Sequence, residues 1–352
     1  VILPGDGIAV SRSYFEDLIA PLLQESVPGL RYAAARVGPG SEVLGMDDAI
    51  SRDHDWGLRL QLFVADADRA RVSSTLDAHL PAEFRGRPVR FGLSGDPVER
   101  LRIDVTSVGE FAEQQLGFDP RGAASVVDWL SLTGQAALEV TCGAVFQDQT
   151  GELTGLRDAL AWYPDGIWRY IVASDWQRLD QELPLMGRAG GRGDELGSRV
   201  IAARLVDIAV HLGFMLSRSW PPYAKWRGSA FGSLAGCAGI ATDLARALDA
   251  RRWEDRQAAL GDALTGLARL QEQRGLPTPP AAVEPFWDRP FLHLNRDLVP
   301  ALVDSIETPE VPGLPVGVGS VEQQTDNVDI LVRPDHRRRL AATLRPSQQS
   351  GQ

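Results

Sequence analysis

Asp53 and Asp55 are separated by one residue, and in an extended chain residues i and i+2 project to the same face, so the two carboxylates stand side by side. Two such carboxylates repel unless a cation sits between them. Mg²⁺ suits this pattern, because it takes oxygen ligands, keeps several waters and is held by a few carboxylates together with substrate phosphates. Twelve residues before Asp53, the turn Val37-Gly-Pro-Gly-Ser ends in Gly40 and Ser41. Backbone N–H groups in such a turn and a Ser hydroxyl can grip phosphate oxygens, and a side chain at Gly40 would obstruct a close approach. A third carboxylate, Asp104, is flanked by Ile103 and Val105. If its strand lies beside the one carrying Asp53 and Asp55, it completes a site for two metals. One Mg²⁺ would then orient a nucleoside triphosphate while the second activates an attacking hydroxyl, with Asp104 as ligand or base. That chemistry is nucleotidyl transfer with loss of pyrophosphate.

Neighbouring residues have plainer readings. Asp47 and Asp48 read as a solvated turn, and His54 points away from the carboxylates it separates. Arg59, on the same strand face as Asp55, contacts phosphate or neutralises the cluster.

Positioning these groups takes strands, and the sequence offers them at 31–37, 58–64, 88–93 and 101–108. Between them, 11–23 and 66–80 carry apolar residues at helical spacing, with Ser11 and Asp66 as N-caps. From about 123 to 275 the pattern turns helical, with segments at 126–132, 153–162, 167–183, 194–218, 230–250 and 253–274. Gly187 to Gly193 reads as a flexible connector, Pro277 to Pro280 as a stiff break, and Val328 to Val332 as a short β-like run. A basic cluster follows at Arg337, Arg338 and Arg339, and Ser347 to Gln352 read as a disordered end.

At Gly40-Ser41, Asp53-His54-Asp55 and Asp104, the sequence resembles the DNA polymerase β-type nucleotidyltransferase superfamily. The segments SEVLGMDDAISRDHDWGLRLQLF and DELGSRVIAARLVDIAVHLGFMLSRSWPPYAKW are similar to the bacterial DUF4037 group of nucleotidyltransferases. The resemblance runs from about Ser11 to Leu331. It implies an α+β chain: an N-terminal nucleotidyltransferase-fold mixed sheet with flanking helices over 1–118, an all-helical bundle over 119–306 that binds substrate, and a C-terminal extension over 307–352. The expected reaction moves a nucleoside monophosphate, AMP from ATP first of all, onto a hydroxyl or amine of a small-molecule acceptor, with Mg²⁺ or Mn²⁺ on Asp53, Asp55 and Asp104. Competing readings are a nucleotide-binding regulatory module that has lost turnover, and a transferase that modifies RNA or protein.

The helical part supplies a second set of residues. The chain holds 35 Arg and one Lys, Lys225, in Tyr223-Ala-Lys-Trp-Arg at a helix start. A compact ammonium suits a β- or γ-phosphate, and Tyr223 or Trp226 could stack on a base. This segment is expected to face the Gly40-Ser41 turn. Asp194 and Glu195 open the longest helix. Asp194 reads as a cap, and Glu195 as either a helix-start charge or a base for the acceptor. The cluster His293, Asn295, Arg296 and Asp297 has no assigned role.

Composition narrows the partners. A net charge of -11 over 352 residues and no long basic stripe argue against a dedicated duplex-DNA binder. They favour a small or basic acceptor, with tRNA or protein ranked behind it. Apolar stretches such as Leu205 to Leu216 are interrupted by Asp207 and His211 and read as too short for a bilayer. The first residues lack the basic and apolar regions of a secretory signal. Cys142 and Cys237 read as buried free thiols. A cytoplasmic location, with no membrane partner, is the expectation.

Overall fold

The computed structural model describes residues 7–46, 57–308, 311 and 313–343. In chain order, α1 (Gly7–Tyr14) passes through a π-helical turn (Phe15–Ile19) into α2 (Ala20–Ser26), followed by β1 (Ala33–Arg36), β2 (Leu60–Phe63) and α3 (Asp66–His79). Then come β3 (Glu83–Phe84), β4 (Arg87–Pro88), β5 (Arg90–Leu93), β6 (Asp96–Leu101), β7 (Ile103–Thr106), α4 (Val108–Leu116), α5 (Val126–Ser131), α6 (Gly134–Thr141), β8 (Ala144–Asp148) and α7 (Glu152–Ala159). The rest is mostly helical: α8 (Asp165–Gly190), α9 (Glu195–Ser217), α10 (Ala224–Ser233), α11 (Ala238–Asp249) and α12 (Trp253–Gln273). After these come β9 (Val283–Pro285), β10 (Leu292–Leu294), α13 (Leu298–Asp304), α14 (Val321–Gln324), α15 (Val328–Leu331) and α16 (Pro334–Ala342). The chain divides into two compact units, residues 1–124 with 136–161, and residues 125–135 with 162–352. The α+β class expected from the sequence is the one found.

In the first unit a four-stranded sheet has the order β7-β2-β1-β8. β1 pairs antiparallel with β2 and β8, whereas β2 and β7 run parallel. A parallel pair needs a crossover, which α3 and the hairpins β3–β4 and β5–β6 provide. The alternation in Leu60-Gln61-Leu62-Phe63 decides what β2 does. Leu60 and Leu62 enter a core with Tyr14, Phe15, Ile19, Leu23, Val72 and Leu76. The other face carries Gln61, and Phe63 packs edge-on against Phe111 of α4 at 5.2 Å. β8 lies within a stretch whose pattern reads as helical. It completes the sheet through a bulged register with β1, and a pairing across more than a hundred residues has no local signal.

In the second unit α8, α9 and α12 pack on one another, with α11 against α12. α9 is longer than the 205–216 stretch suggests. By length and composition it is apolar enough to cross a membrane, with a mean hydropathy of 1.7 over its best window, of which 56% is buried inside the protein.

Several local expectations are corrected. Ser11 lies inside α1 and is buried, and Ala65, not Asp66, precedes α3. Gly187 and Gly190 are not connector residues but the last turns of α8, which continues through Pro184. A Cβ at Gly190 would stand 2.2 Å from Trp253 Cβ, and one at Gly187 2.9 Å from Gln257 Oε1. These glycines mark close helix packing. The segment 230–250 is two helices, parted around Gly236 at φ 85°. Val328 to Leu331 is helical, capped by Asn327, whose side chain accepts from Asp329 N. So short an apolar run cannot distinguish strand from helix by period. Of the basic cluster, Arg337 is buried, while Arg338 pairs with Asp128 at 2.7 Å. Both cysteines are free, Cys237 buried and Cys142 partly exposed.

Candidate functional site

β1 ends at Arg36 and delivers the chain into the Val37-Gly-Pro-Gly-Ser turn. Arg36 is fully buried, and its guanidinium holds the turn from within. It donates to Glu42 Oε1 through Nε at 2.9 Å and Nη2 at 2.5 Å, to the Pro39 carbonyl at 2.7 Å, and to the Val37 carbonyl. A buried charge left alone costs several kcal/mol, so the Arg36–Glu42 pair and the turn stabilise each other. Gly40 sits over this pair at φ 151°. A Cβ there would come to 2.5 Å of Glu42 Oε2 and 2.6 Å of Arg36 Nη2, so glycine is required by the ion pair beneath it. Ser41 follows, and its carbonyl accepts from Met46 N at 2.9 Å, closing the turn.

The opposite wall comes from β2 and β7. Gln61 and Asp104 are register partners on these parallel strands. Gln61 is buried; its carbonyl oxygen accepts from Val37 N at 3.0 Å, and its amide donates to Asp104 Oδ2 at 3.1 Å. One side chain therefore ties the first residue of the Gly-Ser turn to the lone strand carboxylate. Arg59 brings Nη1 to 4.0 Å of Glu42 Oε1, joining the network under the turn. Two guanidiniums, those of Arg36 and Arg59, thus meet Glu42 beneath the Gly-Ser turn.

Of the residues expected to act together, Gly40, Ser41, Arg59 and Asp104 converge in the first unit. Asp53 and Asp55 precede β2 in the sequence and lie outside the described residues, as do His54, Asp47 and Asp48. Among the described residues, no three His, Cys, Asp or Glu side chains gather as a metal-binding group. Asp104 is a solvent-facing oxygen donor with its Oδ2 oriented by Gln61, which is chemically suited to Mg²⁺ or Mn²⁺. Arg36, Glu42 and Gln61 were not among the residues singled out from the sequence. A charged pair six apart across a Gly-Pro-Gly turn was the available signal for the first two. For Gln61, it was a lone amide among Leu60, Leu62 and Phe63.

In the second unit Asp194 caps α9, accepting from Gly197 N at 2.7 Å. Glu195 pairs with the fully buried Arg256 at 3.1 Å, and that guanidinium also donates to Ser198 Oγ and the Ala250 carbonyl. Glu195 thus has a structural commitment. Lys225, exposed in the first turn of α10, places its ammonium 4.6 Å from the Trp226 ring centroid. Tyr223, also exposed, immediately precedes that helix, and its backbone N–H donates to Gln135 Oε1. Sequence reading also missed a buried pair between α8 and α9, His211 Nδ1 to Asp175 Oδ2 at 2.6 Å. Burial opposes the imidazolium, but the charge of Asp175 and its hydrogen bond prevail, and the His211 pKa lies above its ordinary value.

The fold and site together define an α+β protein whose mixed sheet presents a Gly-Ser turn beside a strand carboxylate. Residues 129–227 match the family described as Domain of unknown function (DUF4037), so the resemblance seen in the sequence holds over that stretch. It contains Asp175, Glu195, His211, Tyr223 and Lys225, and lies after the Gly-Ser turn and Asp104. Among solved structures the chain is similar to a nucleotidyltransferase-like protein from Exiguobacterium sibiricum 255-15, at 13% identity and a TM-score of 0.33, over 76% of each chain. No curated protein matches.

Proposed function

We propose that the protein is a nucleotidyltransferase that moves a nucleoside monophosphate, AMP from ATP in the first instance, onto a hydroxyl or amine of a small-molecule acceptor. The observation that carries this reading is the Gln61 bridge, which holds a phosphate-type Gly-Ser turn and the Asp104 carboxylate in one place. The backbone N–H groups of Gly40 and Ser41 and the Ser41 hydroxyl bind the triphosphate. The guanidiniums of Arg36 and Arg59 near the turn favour its anionic oxygens. The acceptor oxygen or nitrogen bonds to the α-phosphorus, the bond to the β-phosphate bridging oxygen breaks, and pyrophosphate leaves with that electron pair. The acceptor's proton passes to Asp104 or to water. Mg²⁺ or Mn²⁺, held by Asp53, Asp55 and Asp104, would supply charge neutralisation for the triphosphate and the departing pyrophosphate. Tyr223 and Lys225 are proposed as further nucleotide-binding residues. Because Glu195 already serves Arg256, the proposal does not depend on it as a base.

The test is turnover of the four nucleoside triphosphates with Mg²⁺ or Mn²⁺, read as pyrophosphate release across a panel of amino and hydroxy acceptors. Asp104→Asn is expected to reduce release at least a hundredfold with the thermal midpoint kept. Release by the variant at the wild-type rate would remove Asp104 from the reaction.

A further inference from the structure

Asn295 and Arg296, of the cluster unassigned from the sequence, line a half-open cavity of about 400 Å³ whose lining residues all belong to the second unit. Gln177 and Asp180, three apart on α8, form one wall. Val299, Val303 and Asp304 of α13 form another, and Leu294, Asn295 and Arg296 form the rim. Residues three or four apart share a helix face, so α8 turns two polar side chains and α13 a mostly apolar set into one space. That volume and mixture suit a small molecule.

Two side chains give the cavity its chemistry. Asp180 is partly buried and receives the Leu294 backbone N–H. Burial raises its carboxyl above the usual carboxylate range, against the pull of that N–H, His293 and Arg296. Arg296 pairs with no carboxylate among the described residues. Instead its guanidinium lies 5.3 Å from the ring centroid of Trp287. Trp287 is 71% exposed and has φ 61°, a left-handed backbone that a bulky residue rarely adopts. The β9–β10 loop fixes it there, with Trp287 N donating to the Pro285 carbonyl. Strain of this kind persists where surrounding structure imposes it, and such outliers cluster at ligand sites. Asn295 is already occupied, donating to Glu284 Oε1 and accepting from Asp297 N, so it braces the rim.

We infer that this cavity binds a compact aliphatic amino acid or related zwitterion, its ammonium against Asp180 and its carboxylate against Arg296, with Val299, Val303 and Val316 enclosing the chain between. A cationic group beside Asp180 offsets the cost of its burial, and an anionic group gives the Arg296 guanidinium a charged partner. The site is independent of nucleotide transfer and is tested without nucleotide.

The experiment is calorimetric titration of the full chain with 4-aminobutanoate, n-butylamine and butanoate. Binding of 4-aminobutanoate is expected at least tenfold tighter than that of butanoate. Asp180→Asn should weaken both amines about tenfold, and Arg296→Gln should weaken 4-aminobutanoate but not n-butylamine. Val303→Trp, which fills the cavity while leaving Asp180 and Arg296 in place, should abolish binding and covers the case in which the Asp180 variant misfolds. The inference is overturned if no amine binds with a Kd of about 10 mM or tighter. It also fails if butanoate binds as well as the amines, or if the folded variants bind like wild type.

Discussion

Gln61 and Asp104 stand opposite one another on parallel strands, and the Gln61 amide joins the Asp104 carboxylate to the backbone of Val37. Replacing Gln61 by Met keeps the bulk and removes both bonds. The buried Val37 N–H would then lack its acceptor, at a cost of about 1–3 kcal/mol. Denaturant unfolding should show that loss. Pyrophosphate release should fall at least tenfold, because the Asp104 carboxylate is no longer held. Gln61→Glu, which can still accept from Val37 but buries a second carboxylate against Asp104, should cost at least as much stability as Met and reduce turnover as much.

Gly40 is tied to the ion pair beneath it. Gly40→Ala places a methyl within 2.6 Å of both Arg36 and Glu42 at a φ of 151°, a combination expected to cost about 1–3 kcal/mol. Thermal unfolding measures the cost. A variant as stable as wild type would show that the turn relaxes freely and that the buried pair does not define it.

The helical segments after residue 123 and the strands β1, β2 and β7 were legible from their apolar runs, and the turn at Gly38-Pro39-Gly40 and the place of Asp104 on a strand were legible from the Gly-Pro-Gly punctuation and from Ile103 and Val105 on either side. What was not legible depends on partners distant in sequence. β8 joins β1 across more than a hundred residues, Gln61 acquires meaning only when β7 lies beside β2, and Glu195 reads as a free acid until Arg256 is placed against it. The glycines at 187 and 190 read as a connector because composition cannot tell a glycine that bends from one that lets Trp253 approach.

That last distinction is measurable. Gly190→Ala puts a Cβ 2.2 Å from that of Trp253 in a helix already formed, and overpacking of this kind costs about 1–3 kcal/mol. A flexible linker would tolerate alanine or gain a few tenths of a kcal/mol from it. A drop in the denaturation midpoint with the slope unchanged is the expected result.

The His211–Asp175 pair makes stability depend on pH. The folded His211 pKa is raised above its unfolded value. Its contribution is therefore fully present below the ordinary histidine value of about 6.5 and is lost as pH rises through the folded pKa. Unfolding free energy measured across that interval should fall with rising pH in the wild type, and His211→Gln should flatten the slope. A wild-type profile with the same slope as the variant would rule out His211 as the titrating group.

Nucleotide binding tests the central claim most directly. Thermal unfolding of wild type, Asp53→Asn, Asp55→Asn and Asp104→Asn is followed with each of the four nucleoside triphosphates and Mg²⁺ or Mn²⁺. A ligand at a hundred times its Kd stabilises the folded state by about 2.7 kcal/mol. Wild type is therefore predicted to show a metal-dependent rise in its midpoint, greatest with ATP, which the three variants lack although their unliganded midpoints match. No rise with any triphosphate, or an equal rise in the three variants, would contradict a metal-dependent nucleotide site at these carboxylates.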